Sequence, residues 1–211
     1  MLLYSAAHEN LGWDMPETSV RDATRADHTL LSQSLARAFY TDPVFSYFIP
    51  DDSRRLKKLE TVMGVLFKLG LPHRACYTTA NYESVTLWRP PNEWDVPFWA
   101  YITNGPALLS AFGSSIGRVL STMDMMEKTH PHTPHWYLQA IGTDPVFQGK
   151  GYGGVIMRHT LAMADAAHMP CYLESSKDTN IPIYQSFGFK VTGEIQVPGG
   201  PKVWPMWREA R

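Results

Sequence analysis

Cysteine, net charge and long apolar runs are all scarce in this chain of 211 residues, and each shortage argues against a class of protein. The two cysteines, Cys76 and Cys171, form no C-x-x-C pair, which disfavours a thiolate metal site or redox pair and is typical of a reducing cytoplasm. A net charge of −1 provides no basic surface for nucleic acid or acidic lipid. The longest apolar stretches, around 62–71 and 106–120, are shorter than the ~20 residues of a membrane-spanning helix. We therefore expect a soluble cytoplasmic protein that binds neither nucleic acid nor membrane.

The length and the absence of repeats favour one domain. The first residues have no basic segment followed by a long apolar run, so we expect no signal peptide. Residues 1–17 are predicted to be an irregular extension, and residues 18–211 to form a single domain. Within it, residues 92–134 carry no clear pattern and are predicted to be an insertion or a substrate lid.

Apolar periodicity and turn residues predict an alternation of helices and strands. Asp27 is expected to cap the first helix, and Pro43 is expected to end it after Asp42, because proline cannot continue a helix. The later strands must run parallel if the helix between them packs on the sheet. The predicted elements are a strand at 18–24, helices at 27–42 and 51–71, strands at 76–81 and 84–89, a strand at 136–143, a helix at 155–168, a strand at 171–176, a short helix at 182–188 and a final hairpin over 189–209.

A glycine-rich segment, FQGKGYGG at 147–154, lies between a predicted strand and a predicted helix. Its G-x-G-x-x-G spacing, with Glu174 twenty residues after the last glycine, matches a dinucleotide-binding fingerprint. That fingerprint begins directly at the end of its strand, whereas residues 144–148 intervene here, and only 37 residues follow Glu174. We therefore favour a loop whose glycines expose backbone amides to a diphosphate at a helix start, with Gln148 and Lys150 able to contact phosphate.

Two spaced motifs occupy the C-terminal half of the chain. The first is QGKGYG at 148–153, which fits Q-x-x-G-x-G, and the second is N-x-x-x-Y followed by G-F, from Asn180 and Tyr184 to Gly188. Together they resemble the GNAT superfamily of acetyl-CoA-dependent N-acetyltransferases. Over 135–211 the chain is most similar to the branch that contains puromycin N-acetyltransferase and its relatives.

This resemblance implies an α/β fold, in which helices flank a mixed, mostly antiparallel sheet with a V-shaped splay between two parallel strands. Acetyl-CoA would be the co-substrate, with its pantetheine arm along the first splayed strand and its diphosphate on the glycine loop. No metal is expected. The residues implied to bind acetyl-CoA are Ile141, Gly142, Thr143, Gln148, Gly149, Lys150, Gly151, Tyr152, Gly153, Gly154 and Asn180.

The implied reaction transfers an acetyl group to a primary amine of a small molecule, by direct attack of the amine on the thioester. Tyr184 would protonate the leaving thiolate, because a phenol titrates near an alkyl thiol. Glu174 could serve as the general base, as an anchor for a cationic substrate or as a bystander. Asn180 could contact the cofactor or cap the short helix.

The acceptor wall is assigned by resemblance to an aromatic segment early in the chain and to the residue that precedes the splayed strand. Asp42 could receive a substrate ammonium, or it could belong to the turn before Pro43. The histidines of HPHTPH at 130–135 are close enough to suggest a metal site, but the interleaved prolines and the absence of acidic or cysteine partners predict none. The predicted substrate-binding residues are Phe39, Tyr40, Asp42 and His135.

Two other functions stay open. The chain could be a non-catalytic module that keeps the fold and binds coenzyme A or a partner, although it has both Tyr184 and the glycines that such a module would be expected to lose. It could also be a protein or peptide N-acetyltransferase. A monomer and a homodimer are both compatible with the sequence.

Overall fold

The computed structural model describes residues 18–94 and 98–211, without the side chains of residues 98, 99 and 101. The extension predicted at 1–17 lies outside the described residues. Across the described ranges, no helix is both long enough and apolar enough to cross a membrane.

A mixed sheet of eight strands runs through the described residues. The strands are β1 (Val20–Asp22), β2 (Cys76–Thr79), β3 (Ser84–Arg89), β4 (Trp136–Thr143), β5 (Cys171–Ser175), β6 (Lys190–Val191), β7 (Ile195–Gln196) and β8 (Lys202–Arg208). Their order is β1-β2-β3-β4-β5-β8-β6, and β7 also pairs with β8. The β4–β5 pair is parallel and the other described pairs are antiparallel, which confirms the predicted sheet.

Helices cover both faces of this sheet. Those described are α1 (His28–Ala38), α2 (Pro43–Phe48), α3 (Asp52–Gly70), α4 (Phe98–Phe112), α5 (Ile116–Thr129), α6 (Tyr152–Ala166) and α7 (Ile181–Ser186). On one face, Leu31 and Leu35 of α1 pack with Met63 of α3 against the sheet. On the other face, Ile156 and Met157 of α6 belong to a second buried cluster. The strand β4 contributes to both clusters, Ala140 to the first and Leu138 to the second.

The predicted single helix over 27–42 is wrong at its C-terminal end, over residues 39–42. The helix α1 ends at Ala38, and Pro43 begins α2 rather than ending α1. Proline suits a first helical position because the N–H it lacks would have no partner there. Asp42 caps α2, since its Oδ1 accepts from the next two backbone N–H groups beyond the proline at 2.9 and 3.1 Å. Asp27, predicted to cap α1, instead accepts from Thr24 N at 2.7 Å.

The helices α4 and α5 lie in the segment 92–134, the least readable part of the sequence, where two helical stretches were nevertheless expected. Ala111, Phe112 and Val119 are buried in the same cluster as α1 and α3. Met125 and Met126, near the end of α5, pack against a small apolar cluster of the β7–β8 hairpin. These helices therefore contribute to the core, and a lid or insertion over 92–134 stays a prediction.

Candidate active site

The slot between β4 and β5 is the central feature of the site. The two strands pair over three positions, from Trp136–Leu138 on one strand and Cys171–Leu173 on the other. Beyond them, β4 pairs with β3 along its other edge as far as Thr143, and β5 pairs with β8. The facing edges separate after Leu138 and Leu173, which confirms the predicted V-shaped splay.

The glycine loop follows β4 and leads into α6. Gly151 is the N-cap residue with φ of 84°, and it supplies no side-chain cap, so the N–H groups of the first turn of α6 have no capping partner. Gly149 also has positive φ, 74°. Both values favour glycine, because a Cβ is strained in this region. An uncapped helix start behind flexible glycines suits an anion such as a diphosphate.

A cavity of about 630 Å³ joins this loop to α7. Lys150 does not line it: its Nζ donates to the Val146 carbonyl at 3.1 Å and lies 5.4 Å from the Phe147 ring centroid. Gln148 lines the cavity, and its Nε2 donates to the Thr143 carbonyl at 3.0 Å. The predicted cofactor residues found in the lining are Ile141, Gly142, Thr143, Gln148, Gly149, Gly151, Tyr152, Gly153, Gly154 and Asn180.

Two helices pack closely against the end of β4 behind the cavity lining. A Cβ on Gly142 would lie 2.7 Å from the Ala38 Cβ, so α1 packs directly on β4. A Cβ on Gly153 would lie 3.1 Å from the Thr143 Oγ1, so α6 starts equally close to the end of the strand. Within the described ranges, no group of three or more His, Cys, Asp or Glu side chains could hold a metal ion.

Two basic side chains that the sequence did not indicate, Arg158 and Lys177, also line the cavity. Arg158 of α6 is half-buried, and its guanidinium carbon lies 5.8 Å from the Phe187 ring centroid. Burial lowers the pKa of Arg158. The sequence could have indicated this position, because Arg158 comes two helical turns after Gly151 and therefore lies on the same face of α6. Lys177 follows β5, and its Nζ donates to Thr41 Oγ1 at 3.2 Å. Both place positive charge beside the glycine loop.

Tyr184 of α7 lines the same cavity as the glycine loop. Its ring packs against Phe189 with a centroid distance of 6.1 Å. Burial, and to a lesser degree the charge of Asp42, raise the pKa of Tyr184 well above 10, so the phenol keeps its proton at neutral pH. Asn180 occupies the N-cap position of α7 and lines the cavity, but its side chain makes no capping hydrogen bond.

Asp42 lies between the α1–α2 turn and the segment after β5. Its Oδ1 caps α2, and its Oδ2 accepts a short hydrogen bond from the Ser176 hydroxyl. Burial raises the pKa of Asp42, while the Ser176 hydrogen bond and the charge of Lys177 oppose that shift. The carboxylate thus has a structural role in the turn, and Ser176 is a neighbour that the sequence did not indicate.

The predicted aromatic wall lies on the α1 side of β4, outside the cavity lining. Phe39 packs against Phe45 with ring centroids 5.5 Å apart, close to Gly142. The Tyr40 hydroxyl donates to the Asp52 carbonyl at 3.3 Å, and its ring lies 5.4 Å from the Arg55 guanidinium carbon. These rings flank the slot from one side.

Glu174 lies one residue beyond the last β4–β5 pair, in a buried cluster with two histidines. Its Oε1 is 3.6 Å from His130 Nδ1, and both side chains are 4% exposed. His130 Nε2 is 3.1 Å from His135 Nε2, whereas His132 is exposed. Neither Glu174 nor His135 is among the residues that line the cavity, and Glu174 is the first residue of β5 beyond the strand pairing, at the vertex of the slot. The sequence indicated His135 but gave no reason to separate His130 from its neighbours.

Comparisons with known proteins agree with this geometry. Residues 108–191 match a family model described as an acetyltransferase (GNAT) domain. An uncharacterised N-acetyltransferase of Schizosaccharomyces pombe is 27% identical over 176 residues, which are 77% of this chain and 70% of the relative.

Solved structures of acetyltransferases share the fold over most of the chain. One from Corynebacterium glutamicum, described as histone acetyltransferase HPA2 and related acetyltransferase, is 26% identical with a TM-score of 0.70, over 92% of this chain and 97% of its own. The polyamine N-acetyltransferase of Drosophila melanogaster shares the fold at 14% identity and a TM-score of 0.62, over 92% of this chain and 100% of its own. The family match over residues 108–191, the N-acetyltransferase relative and the shared fold show that the chain is an acyltransferase with a GNAT-like fold.

Proposed function

We propose that this acyltransferase moves an acetyl group from acetyl-CoA to a primary amine of a small molecule. GNAT acetyltransferases use acetyl-CoA as the donor. One observation carries the proposal for this chain: a single cavity extends from the uncapped start of α6 to the Tyr184 side chain. Acetyl-CoA bound along this cavity would have its diphosphate at the start of α6 and its thioester near Tyr184.

The donor would be held mainly by backbone groups. The free edge of β4 at Ile141, Gly142 and Thr143 offers hydrogen bonds to an extended pantetheine arm, in the manner of an added strand. The loop from Gly149 to Gly154 would hold the diphosphate, with Arg158 and Lys177 nearby to balance its charge. Tyr152, Gln148 and Asn180 complete this side, and Lys150 would have to leave its carbonyl partner to reach a phosphate.

The acceptor would enter from the α1 side, between Phe39, Tyr40 and the α5 helix. Residues 18–211 would act as one domain, with α4 and α5 as part of the acceptor wall. In this arrangement Glu174 faces the acceptor nitrogen as its base, and Tyr184 supplies the proton that the leaving sulfur needs. Asp42 and His135 would shape the wall rather than hold the amine directly, because each already has protein partners.

Structural neighbours named as agmatine, polyamine and arylalkylamine N-acetyltransferases suggest the amines to try first. A panel of agmatine, spermidine, tryptamine, phenethylamine and puromycin, incubated with acetyl-CoA, is followed by release of free thiol. We expect at least one amine to raise thiol release above the rate without acceptor, in proportion to enzyme. A panel without any response, alongside acetylation of a lysine peptide, would instead favour a peptide N-acetyltransferase. Puromycin is in the panel because of the narrower resemblance to puromycin N-acetyltransferase, although that resemblance does not imply puromycin as the substrate.

A further inference from the structure

Glu174, His130 and His135 form an unbroken series of side chains at the vertex of the slot. The carboxylate lies 3.6 Å from His130 Nδ1, and the two imidazole Nε2 atoms are 3.1 Å apart. The indole of Trp94 stacks on His130 with a centroid distance of 4.0 Å. All three members are buried, so a proton placed on one of them is better shared within the series than with water.

The hydrogen bonds fix where the protons are. The Thr133 carbonyl can only accept, so His135 Nδ1, 2.6 Å away, carries a hydrogen. Burial lowers the pKa of His135, which therefore stays neutral and presents an unprotonated Nε2. His130 must then donate from its own Nε2, leaving its Nδ1 facing Glu174. The Glu174 Oε1 atom has no hydrogen-bond partner in the described structure, although it is buried.

The neighbouring groups do not compete for a proton in this series. The rings of Tyr137 and Tyr172 each lie 4.8 Å from the His130 ring, and burial together with the Glu174 charge raises the pKa of each phenol above 10. Both phenols therefore keep their protons. Arg89 is a nearby cation and acts on Tyr137 in the opposite direction. The Glu174 carboxylate and His130 Nδ1 face each other directly, 3.6 Å apart.

We propose that Glu174 and His130 form a proton relay for the acceptor amine, with His135 as the positioning residue that holds the His130 tautomer; this rests on the proposed function. The acceptor ammonium gives one proton to the Glu174 carboxylate, which passes it to His130 Nδ1. The neutral nitrogen then forms the N–C bond and the C–S bond breaks. Tyr184 gives its proton to the sulfur, and the second N–H proton of the amine restores Tyr184. The relay releases its proton to solvent, so one proton is produced per turnover.

The test compares two acceptors that differ in basicity. The first is the fastest amine of the panel, and the second is its β,β-difluoro analogue, whose nitrogen is largely neutral at pH 7. The variant His130→Gln keeps a polar group near His135 but removes Nδ1, and the exposed His132→Gln is the matched control. We expect His130→Gln to lower kcat/KM for the basic amine by at least ~10²-fold, the minimum for general base catalysis. The loss for the difluoro analogue should be under about threefold, because this amine needs no base before attack.

Each other outcome has a distinct meaning. An equal loss for both amines, or no loss for either, overturns the relay while leaving acetyl transfer intact. If His130→Gln does not fold, Glu174→Gln takes its place with the same expectation. An amine-selective loss in Glu174→Gln but not in a folded His130→Gln would leave Glu174 as a base without a relay. If the wild type acetylates no amine, the proposed function fails, and the relay fails with it.

Discussion

Replacing Tyr184 with phenylalanine is the sharpest test of the proposed chemistry. Tyr184→Phe removes one hydroxyl and keeps the ring that packs on Phe189 at 6.1 Å. General acid catalysis contributes about 10²–10⁴-fold, which corresponds to about 2.7–5.4 kcal/mol of transition-state stabilisation. We therefore expect kcat to fall by ~10²–10⁴-fold with the Kd for coenzyme A unchanged, since the hydroxyl acts only as the sulfur leaves.

The assay is steady-state thiol release with saturating acetyl-CoA, together with calorimetric titration of coenzyme A. Tyr77→Phe, which removes a buried hydroxyl from β2 outside the cavity, serves as the control for a generic loss of packing. If Tyr184→Phe keeps kcat within about threefold of the wild type, the phenol is not the acid, because the minimum for such a group is ~10²-fold. A parallel loss of coenzyme A affinity would assign Tyr184 to ground-state binding instead.

The pH dependence of kcat tests the same assignment. A general acid must be protonated, so activity is lost as pH rises through its pKa. The pKa of Tyr184 is raised by burial and by the charge of Asp42, so the wild type should show no alkaline loss of kcat below about pH 10. Asp42→Asn keeps an oxygen for the α2 cap but removes the charge, and it should move the alkaline limb to lower pH. An alkaline limb that does not move in this variant would contradict the coupling.

Three further predictions concern other parts of the chain. Gly151→Val should weaken coenzyme A binding by at least about tenfold in calorimetry. The φ of 84° strains a branched residue, and the valine side chain crowds the helix start. Unchanged affinity would show that the loop is not part of the binding site. Elemental analysis should find less than stoichiometric zinc in the purified protein, and zinc that disappears in a His130→Ala/His132→Ala variant would refute this. Asp165→Asn should lower the free energy of unfolding by about 1–3 kcal/mol in urea denaturation, because the buried Arg208 loses its carboxylate partner at 2.6 Å. The loss is not larger because Asp165 itself is partly exposed.

The sheet and the glycine loop could be predicted from the sequence, because their signals are local. Glycines at 149 and 151 both occupy positive φ, and the spacing of Asn180 and Tyr184 on a short helix brings both to one cavity. The end of α1 was predicted wrongly, since Pro43 is compatible with stopping one helix and with starting the next. Only the carboxylate of Asp42, bound to two N–H groups of α2, decides between them.

The contacts that join distant segments could not be predicted from periodicity. Asp42 and Ser176 are 134 residues apart in sequence, and Arg37 reaches Asp144 across 107 residues at 2.6 Å. Neither pair follows a spacing rule, because each depends on how α1 crosses the ends of β4 and β5. The facing of His130 and His135 has the same origin, since the prolines between them predict an extended loop but not which rings it brings together.

The separation of β4 and β5 also links the stability of the chain to its ligand. Beyond Leu138 and Leu173 no described strand bridges the two edges, so part of the sheet lacks hydrogen bonds that a bound extended molecule could supply. A ligand that binds the folded chain alone stabilises it by about 2.7 kcal/mol when present at a hundred times its Kd. If acetyl-CoA binds along this gap as proposed, the melting temperature and the resistance to proteolysis should rise with its concentration, so that the amount of folded protein depends on the supply of the donor.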